Sequence, residues 1–76
     1  MFLHVVDIKH IKNHRVWLKF NDGASGEIDL SSELDKGIFK DLKDLKYFSN
    51  FSLEGHTIAW KNGADFAPEF LREKLN

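Results

Sequence analysis

Cysteine is absent from the sequence, which removes disulfides, thiolate-bound zinc and cysteine nucleophiles together. The absence fits a reducing cytoplasm. No stretch approaches the roughly 20 consecutive apolar residues of a membrane span. The start, MFLHVVDIKH, has no basic leader, and His4 and Asp7 break its apolar run, so it does not read as a signal peptide. Charge of one sign is missing too: 11 basic side chains stand against 12 acidic ones, for a net charge of −1. Nucleic-acid binders usually carry a clear basic excess, so the balance counts against that class. Proline occurs once, at Pro68, and no repeat, linker or low-complexity segment is evident.

What the chain does have is aromatic mass. Seven Phe, two Trp and one Tyr in 76 residues supply the bulk that a small domain needs, because a chain this short buries only about 60 % of its unfolded surface. One domain over residues 1–76 is expected.

Strand-like segments rich in Val, Ile, Phe and Trp run through about 5–11, 15–20 and 24–30. In the second, Val16, Leu18 and Phe20 share one face, and Arg15, Trp17 and Lys19 share the other. Residues paired across strands lie on the same face, so parity selects the loop. A two-residue turn at Asp22–Gly23 would set Leu18 against Glu27. A three-residue loop, Asn21–Asp22–Gly23, sets Val16 against Ile28 and Arg15 against Asp29, with Gly23 as the left-handed residue. Phe51–Glu54 and Thr57–Trp60 pass the same test with a two-residue loop, pairing Leu53 with Ile58 and Phe51 with Trp60. Gly55 at the first loop position points to a type II′ turn.

Residues 31–48, SSELDKGIFKDLKDLKYF, are helical in character: Ile38, Leu42 and Leu45 keep a spacing of four then three, with Phe39 beside them. Ser31 and Ser32 before Glu33 read as capping residues, and the alternating Lys and Asp as a solvated face. In WKNGADFAPEFL at 60–71, Lys61–Asn62–Gly63 makes a turn and Pro68 opens a short helix. Asp65 is expected to accept a backbone N–H as a cap or Asx-turn, worth about 1 kcal/mol. Gly23, Gly55, Gly63, Asp65 and Pro68 are therefore structural residues. The fold class is α+β: a three-stranded antiparallel meander, a second hairpin, a central helix and a short C-terminal helix.

Four histidines, His4, His10, His14 and His56, do not make a metal site. The spacing of His10 and His14 suits a helix, and here it falls on a strand and a turn. No nucleophile with a matched base, paired carboxylates or phosphate loop is present, so no enzyme, metal or cofactor is expected. The basic run from Lys9 to Lys19 could in principle hold nucleic acid, but Glu27 and Asp29 lie on the strand that should sit beside it. Trp17 on an outward face, between Arg15 and Lys19, either packs beneath the central helix or anchors a partner.

The blocks FNDG at 20–23, IDL at 28–30, FKDL at 39–42 and WKNGADFAP at 60–68 resemble the bacterial domain-of-unknown-function family numbered 2442, over nearly the whole chain. The resemblance implies an α+β fold with helices packed to one side of antiparallel strands. It brings no catalytic residues. It also implies a gene often paired with another small protein, in an arrangement like a toxin–antitoxin pair. In what the resemblance implies, some longer relatives carry a helix-turn-helix segment that this chain lacks. The expectation is a small cytoplasmic protein-interaction module, acting with a protein partner or as a homodimer, of the antitoxin-like or regulatory kind. The alternative is a nucleic-acid-associated regulator using the Lys9–Lys19 hairpin.

Overall fold

A computed structural model describes residues 2–75. The chain forms β1 (Val5–Lys12), β2 (Arg15–Phe20) and β3 (Ser25–Asp29), then a hairpin of β4 (Ser52–Glu54) and β5 (Thr57–Ala59). Between the sheets lie 3₁₀ turns at Ser31–Glu33 and Gly37–Lys43 and one α-turn, α1 (Leu45–Phe48); α2 (Pro68–Glu73) closes the fold. This is the α+β arrangement that the strand and turn signals imply. The first sheet is an antiparallel meander in the order β1-β2-β3, and β4 pairs with β5 alone.

The parity argument holds in both hairpins. Val16 pairs with Ile28 and Arg15 with Asp29, and the three-residue loop is closed by the Phe20 N–H donating to Ala24 O at 2.8 Å. Gly23 takes φ +91°, and the Asp22 carboxylate accepts the Ala24 N–H at 3.0 Å. In the second hairpin Leu53 pairs with Ile58. Its turn differs from expectation: Gly55 and His56 both have positive φ, +59° and +70°, which makes it type I′ rather than II′. Glycine at the first position permits either type, and the side chain at the second decides nothing by itself.

β1 extends one residue beyond the expected strand and departs from strict alternation at Val6 and Ile11. Both sit where the register with β2 shifts, between Val5 and Asp7 and between His10 and Lys12. A bulged residue has no partner opposite, and both Val6 and Ile11 are exposed at these irregularities.

The loop over 60–64 repeats the geometry of the loop over 20–24. Trp60 N–H donates to Ala64 O at 2.9 Å and Gly63 N–H to Trp60 O at 3.0 Å. Gly63 has φ +92°, and the Asn62 side-chain oxygen accepts the Ala64 N–H at 2.9 Å. The chain returns along β5 far enough for Ala59 and Asp65 to form an antiparallel bridge. The Asx role expected of Asp65 thus belongs to Asn62, whose amide nitrogen also donates to Ile38 O and to Asp41, each at 3.1 Å. Asp65 is exposed, and Ala67, the residue that caps α2, does so without a side-chain bond. Ala67 is extended and Pro68 takes the first helical position, as the steric rule before proline requires.

The central segment keeps its helical character but not as one helix. Residues 34–36 separate the two 3₁₀ turns, Gly37 opens the second at φ +56°, and extended Asp44 separates the second from α1, where its carboxylate caps the Lys46 N–H at 3.0 Å. The expected stripe therefore breaks: Leu42 is fully buried, whereas Ile38 and Leu45 are exposed. Leu34, Phe39 and Phe48 take their places against the core. Ser31 and Ser32 do not cap the first turn, whose N-cap is Leu30 without a side-chain bond; the Asp29 carboxylate accepts the Ser31 N–H at 2.9 Å just before it.

A single cluster of buried residues fills the inner face of the meander, with Val16, Leu18, Phe20 and Ile28 from the strands meeting Leu42, Phe48, Ile58, Trp60 and Leu71. Three polar contacts fix its geometry. Trp60 Nε1–H donates to Phe48 O at 2.8 Å. The ring nitrogen Nε2 of His14 lies 2.9 Å from Leu42 O. The hydroxyl of buried Thr57 donates to Phe66 O. No buried side-chain nitrogen or oxygen among the described residues lacks a partner.

Asn62→Ala should cost about 1–2 kcal/mol in urea denaturation, because three hydrogen bonds depend on its amide. Asp65→Ala should change stability by less than about 0.5 kcal/mol, as surface substitutions usually do. A larger effect at Asp65 than at Asn62 would contradict this assignment. The carboxyls of Asp22 and Asp29 are held below their ordinary range: Asp22 by the Ala24 N–H and then Arg72, Asp29 by Ser31 and then Arg15. A depressed carboxylate stabilises the fold above its unfolded pKa, near 4, and that contribution is lost as pH falls through the lower folded value. The double variant Asp22→Asn/Asp29→Asn should therefore be less stable than wild type at neutral pH. That gap should close on titration from about pH 4 downwards; a gap constant with pH would refute the assignment.

Candidate functional site

The outer face of the meander is the candidate site. Strand pairing places its side chains in three cross-strand rows: Asp7–Lys19–Ser25, Lys9–Trp17–Glu27 and Lys12–Arg15–Asp29. These positions alternate with the inward Val16, Leu18 and Phe20, so the hydrophobic pattern that builds the core also puts these residues outward. All are exposed except Trp17 and Arg15, which are half-buried. Trp17 does not join the core. The reading in which it packs beneath the central helix is therefore replaced by an uncovered face with a tryptophan at its centre.

The electrostatics run across the strands. β1 contributes Asp7, Lys9 and Lys12, β2 contributes Arg15 and Lys19, and β3 contributes Glu27 and Asp29. Arg15 Nε lies 3.5 Å from Glu27 and a terminal guanidinium nitrogen lies 3.9 Å from Asp29. These pairs are exposed, so each contributes little to stability. Their effect is to neutralise the middle row from one side. The Lys9 ammonium stands 5.1 Å from the centre of the Trp17 ring, within cation–π range. The middle row thus grades from Lys9, through Trp17, to Glu27, and the row beyond it runs from Lys12 through Arg15 to Asp29.

The structure brings Arg15, Trp17 and Lys19 together on this face. It keeps Gly23, Gly55, Gly63, Asp65 and Pro68 away from it, in turns and at the start of α2. Sequence reasoning missed Lys9 and Glu27 as neighbours of Trp17; both follow from extending the same parity argument to β1 and β3. The histidines divide. His14 is half-buried against Phe48, with ring centroids 4.8 Å apart, and serves the core. His10 is exposed and its Nε2 lies 2.8 Å from Asn13 O. His4 and His56 face each other at 4.9 Å between ring centroids, beside exposed Phe2, Val6 and Leu53. Among the described residues no three His, Cys, Asp or Glu side chains are grouped to hold a metal. No helix among them is long and apolar enough to cross a membrane.

Neither the curated proteins nor the solved structures contain a match to this chain. A family model does match, over residues 5–75, and it spans both hairpins, the central turns and α2. The chain belongs to the family described as protein of unknown function DUF2442.

Proposed function

We propose that the protein is a small cytoplasmic protein-interaction module that engages its partner through the outer face of the β1–β3 sheet, as the regulatory or antitoxin-like half of a two-protein system or as a homodimer. The observation that carries the reading is Trp17: a large aromatic, half-buried by its strand neighbours, at the centre of a sheet face that no described element covers. Tryptophan and arginine are the residues most enriched at energetic centres of interfaces, and Arg15 adjoins Trp17 here. The rim is charged and solvated, as rims are. The lack of cysteine supports the cytoplasmic assignment.

A nucleic-acid-associated role for the Lys9–Lys19 hairpin draws less support. Phosphate backbone binding needs free cations, and Arg15 is engaged by Glu27 and Asp29, whose carboxylates would repel the same ligand.

The test is a pull-down from nuclease-treated lysate of the source cell, with tagged wild type and tagged Trp17→Ala in parallel. Wild type should retain one protein in near-stoichiometric amount, and the variant should retain at least roughly tenfold less, as expected for loss of a central anchor. Equal retention by both baits, or retention only when nucleic acid is left intact and salt is low, would overturn the reading.

A further inference from the structure

We infer that the occupant of this face is a second copy of the same chain, docked face to face about a two-fold axis that runs parallel to the strands through Trp17. The inference rests on the interaction-module reading and deepens it by naming the partner.

The argument is symmetry applied to the charge gradient. Two identical faces can meet only about a two-fold axis lying in the plane between them, because one outward normal must be turned into its opposite. An axis perpendicular to the strands would set β1 on β1 and β3 on β3. Lys9 would then meet Lys9, Glu27 would meet Glu27 and Arg15 would meet Lys19, with only Lys12 over Asp7 attractive, so like-charge contacts dominate. An axis parallel to the strands exchanges the two edges. It sets Lys9 of one copy over Glu27 of the other and Lys12 over Asp29, twice each by symmetry. Trp17 falls on the axis and meets its own counterpart.

Several observations fit this geometry. Lys9 and Glu27 flank Trp17 in one cross-strand row, each roughly 5 Å from it at ordinary strand spacing. The Glu27 and Asp29 side chains remain 47 % and 49 % exposed despite their contacts with Arg15, so their outer lone pairs are free for a second cation. Arg15 and Lys19 also lie on the axis row and would approach their own counterparts. Arg15 enters already neutralised, and Lys19 sits in register with Asp7. Edge-to-edge sheet extension is the competing route for a second copy, and β1 is poorly suited to it. Its edge is bulged at Val6 and at Ile11, and its first amide, Val5 N–H, is taken by His56 O at 2.8 Å. Bulges of this kind blunt an edge against pairing.

The face is small. Three strands of this length give a footprint on the order of 300 Å², below the roughly 800 Å² per partner of a stable interface. The dimer is therefore weak and concentration-dependent, and salt weakens it further because its rows of charge lie near solvent.

The experiment is sedimentation velocity over a wide concentration series, on wild type, Lys9→Glu, Glu27→Lys and a one-to-one mixture of the two variants, with circular dichroism to verify folding. Alone, Lys9→Glu sets a new carboxylate against Glu27 across the axis, and Glu27→Lys sets a new ammonium against Lys9. Each should lower the association constant at least about tenfold.

 In the mixture, the variant carrying carboxylates at both positions meets the variant carrying ammoniums at both, so every charged contact across the axis in this row is attractive. Heterodimer should therefore form at wild-type affinity or better. A substitution that merely disturbed one chain's own packing would not be rescued by mixing. Wild-type dimerisation unaffected by either variant would place the interface elsewhere and overturn the inference. A monomeric wild type at every concentration would overturn it too. If Trp17-dependent capture of a different protein then persists in the pull-down, the module reading survives without the homodimer; if that capture is also absent, both fall.

Discussion

A chain of 76 residues with no long helix must close its core with side-chain bulk, and it does so around Trp60. The indole touches Phe48, Phe51 and Phe66 at centroid distances of 5.6, 6.4 and 5.9 Å, and Phe66 in turn stacks on Phe39 and Phe70. Burial of a ring this large is worth roughly 4 kcal/mol. Direction matters as much as magnitude. The Trp60 Nε1–H bond to Phe48 O fixes where α1 sits against the second hairpin. The turn that follows Trp60 carries Asn62 back to the central segment. Two hairpins that share no strand thereby become one body. His14 completes the link from the first hairpin, through Leu42.

Because all closure happens on the inner side of the meander, the outer side is left with nothing to do for stability. Its pairs are exposed and its central aromatic is outside the core. A sheet with one wet face ordinarily carries polar residues there, and most positions on this one comply. Trp17 is the exception. It retains an apolar surface that the fold neither uses nor hides, with opposite charges on the two flanking strands. Fold and proposed function are therefore separable: the inner residues determine the sheet, and the outer ones could change without changing it.

The strands and both loop lengths were legible in the sequence because a one-residue slip would send Leu18 or Ile58 to the wrong face. The outward position of Trp17 followed from the same alternation. The turn type at Gly55–His56 was not legible, since His56 enters the left-handed region through context rather than composition. The central segment misled because a spacing of four and three is necessary for a helix but not sufficient. Extended Asp44 interrupts the backbone within the apparent stripe, left-handed Gly37 starts it as a tight 3₁₀ turn, and the core receives Leu34 and Phe48 instead of Ile38 and Leu45. The misplacement at Asp65 was avoidable, because the recurrence of NDGA as KNGA already placed Asn62 where Asp22 stands. Contacts such as His14 with Leu42 carry no periodic signature at all. They depend on which loop meets which turn once the core has formed.

The twin turns have one more consequence, in covalent chemistry. Asp22–Gly23 and Asn62–Gly63 are the dipeptides most prone to succinimide formation, in which the glycine amide nitrogen attacks the preceding side-chain carbonyl. In the folded chain that nitrogen is held by Phe20 O in one turn and Trp60 O in the other, at 3.0 Å each, and the side-chain oxygens are engaged by Ala24 and Ala64. Neither group is free to cyclise until its turn opens. Isoaspartate accumulation at these two sites is thus a clock for local unfolding, and the more extensively bonded Asn62 should be slowed the more, relative to its own rate in the open chain.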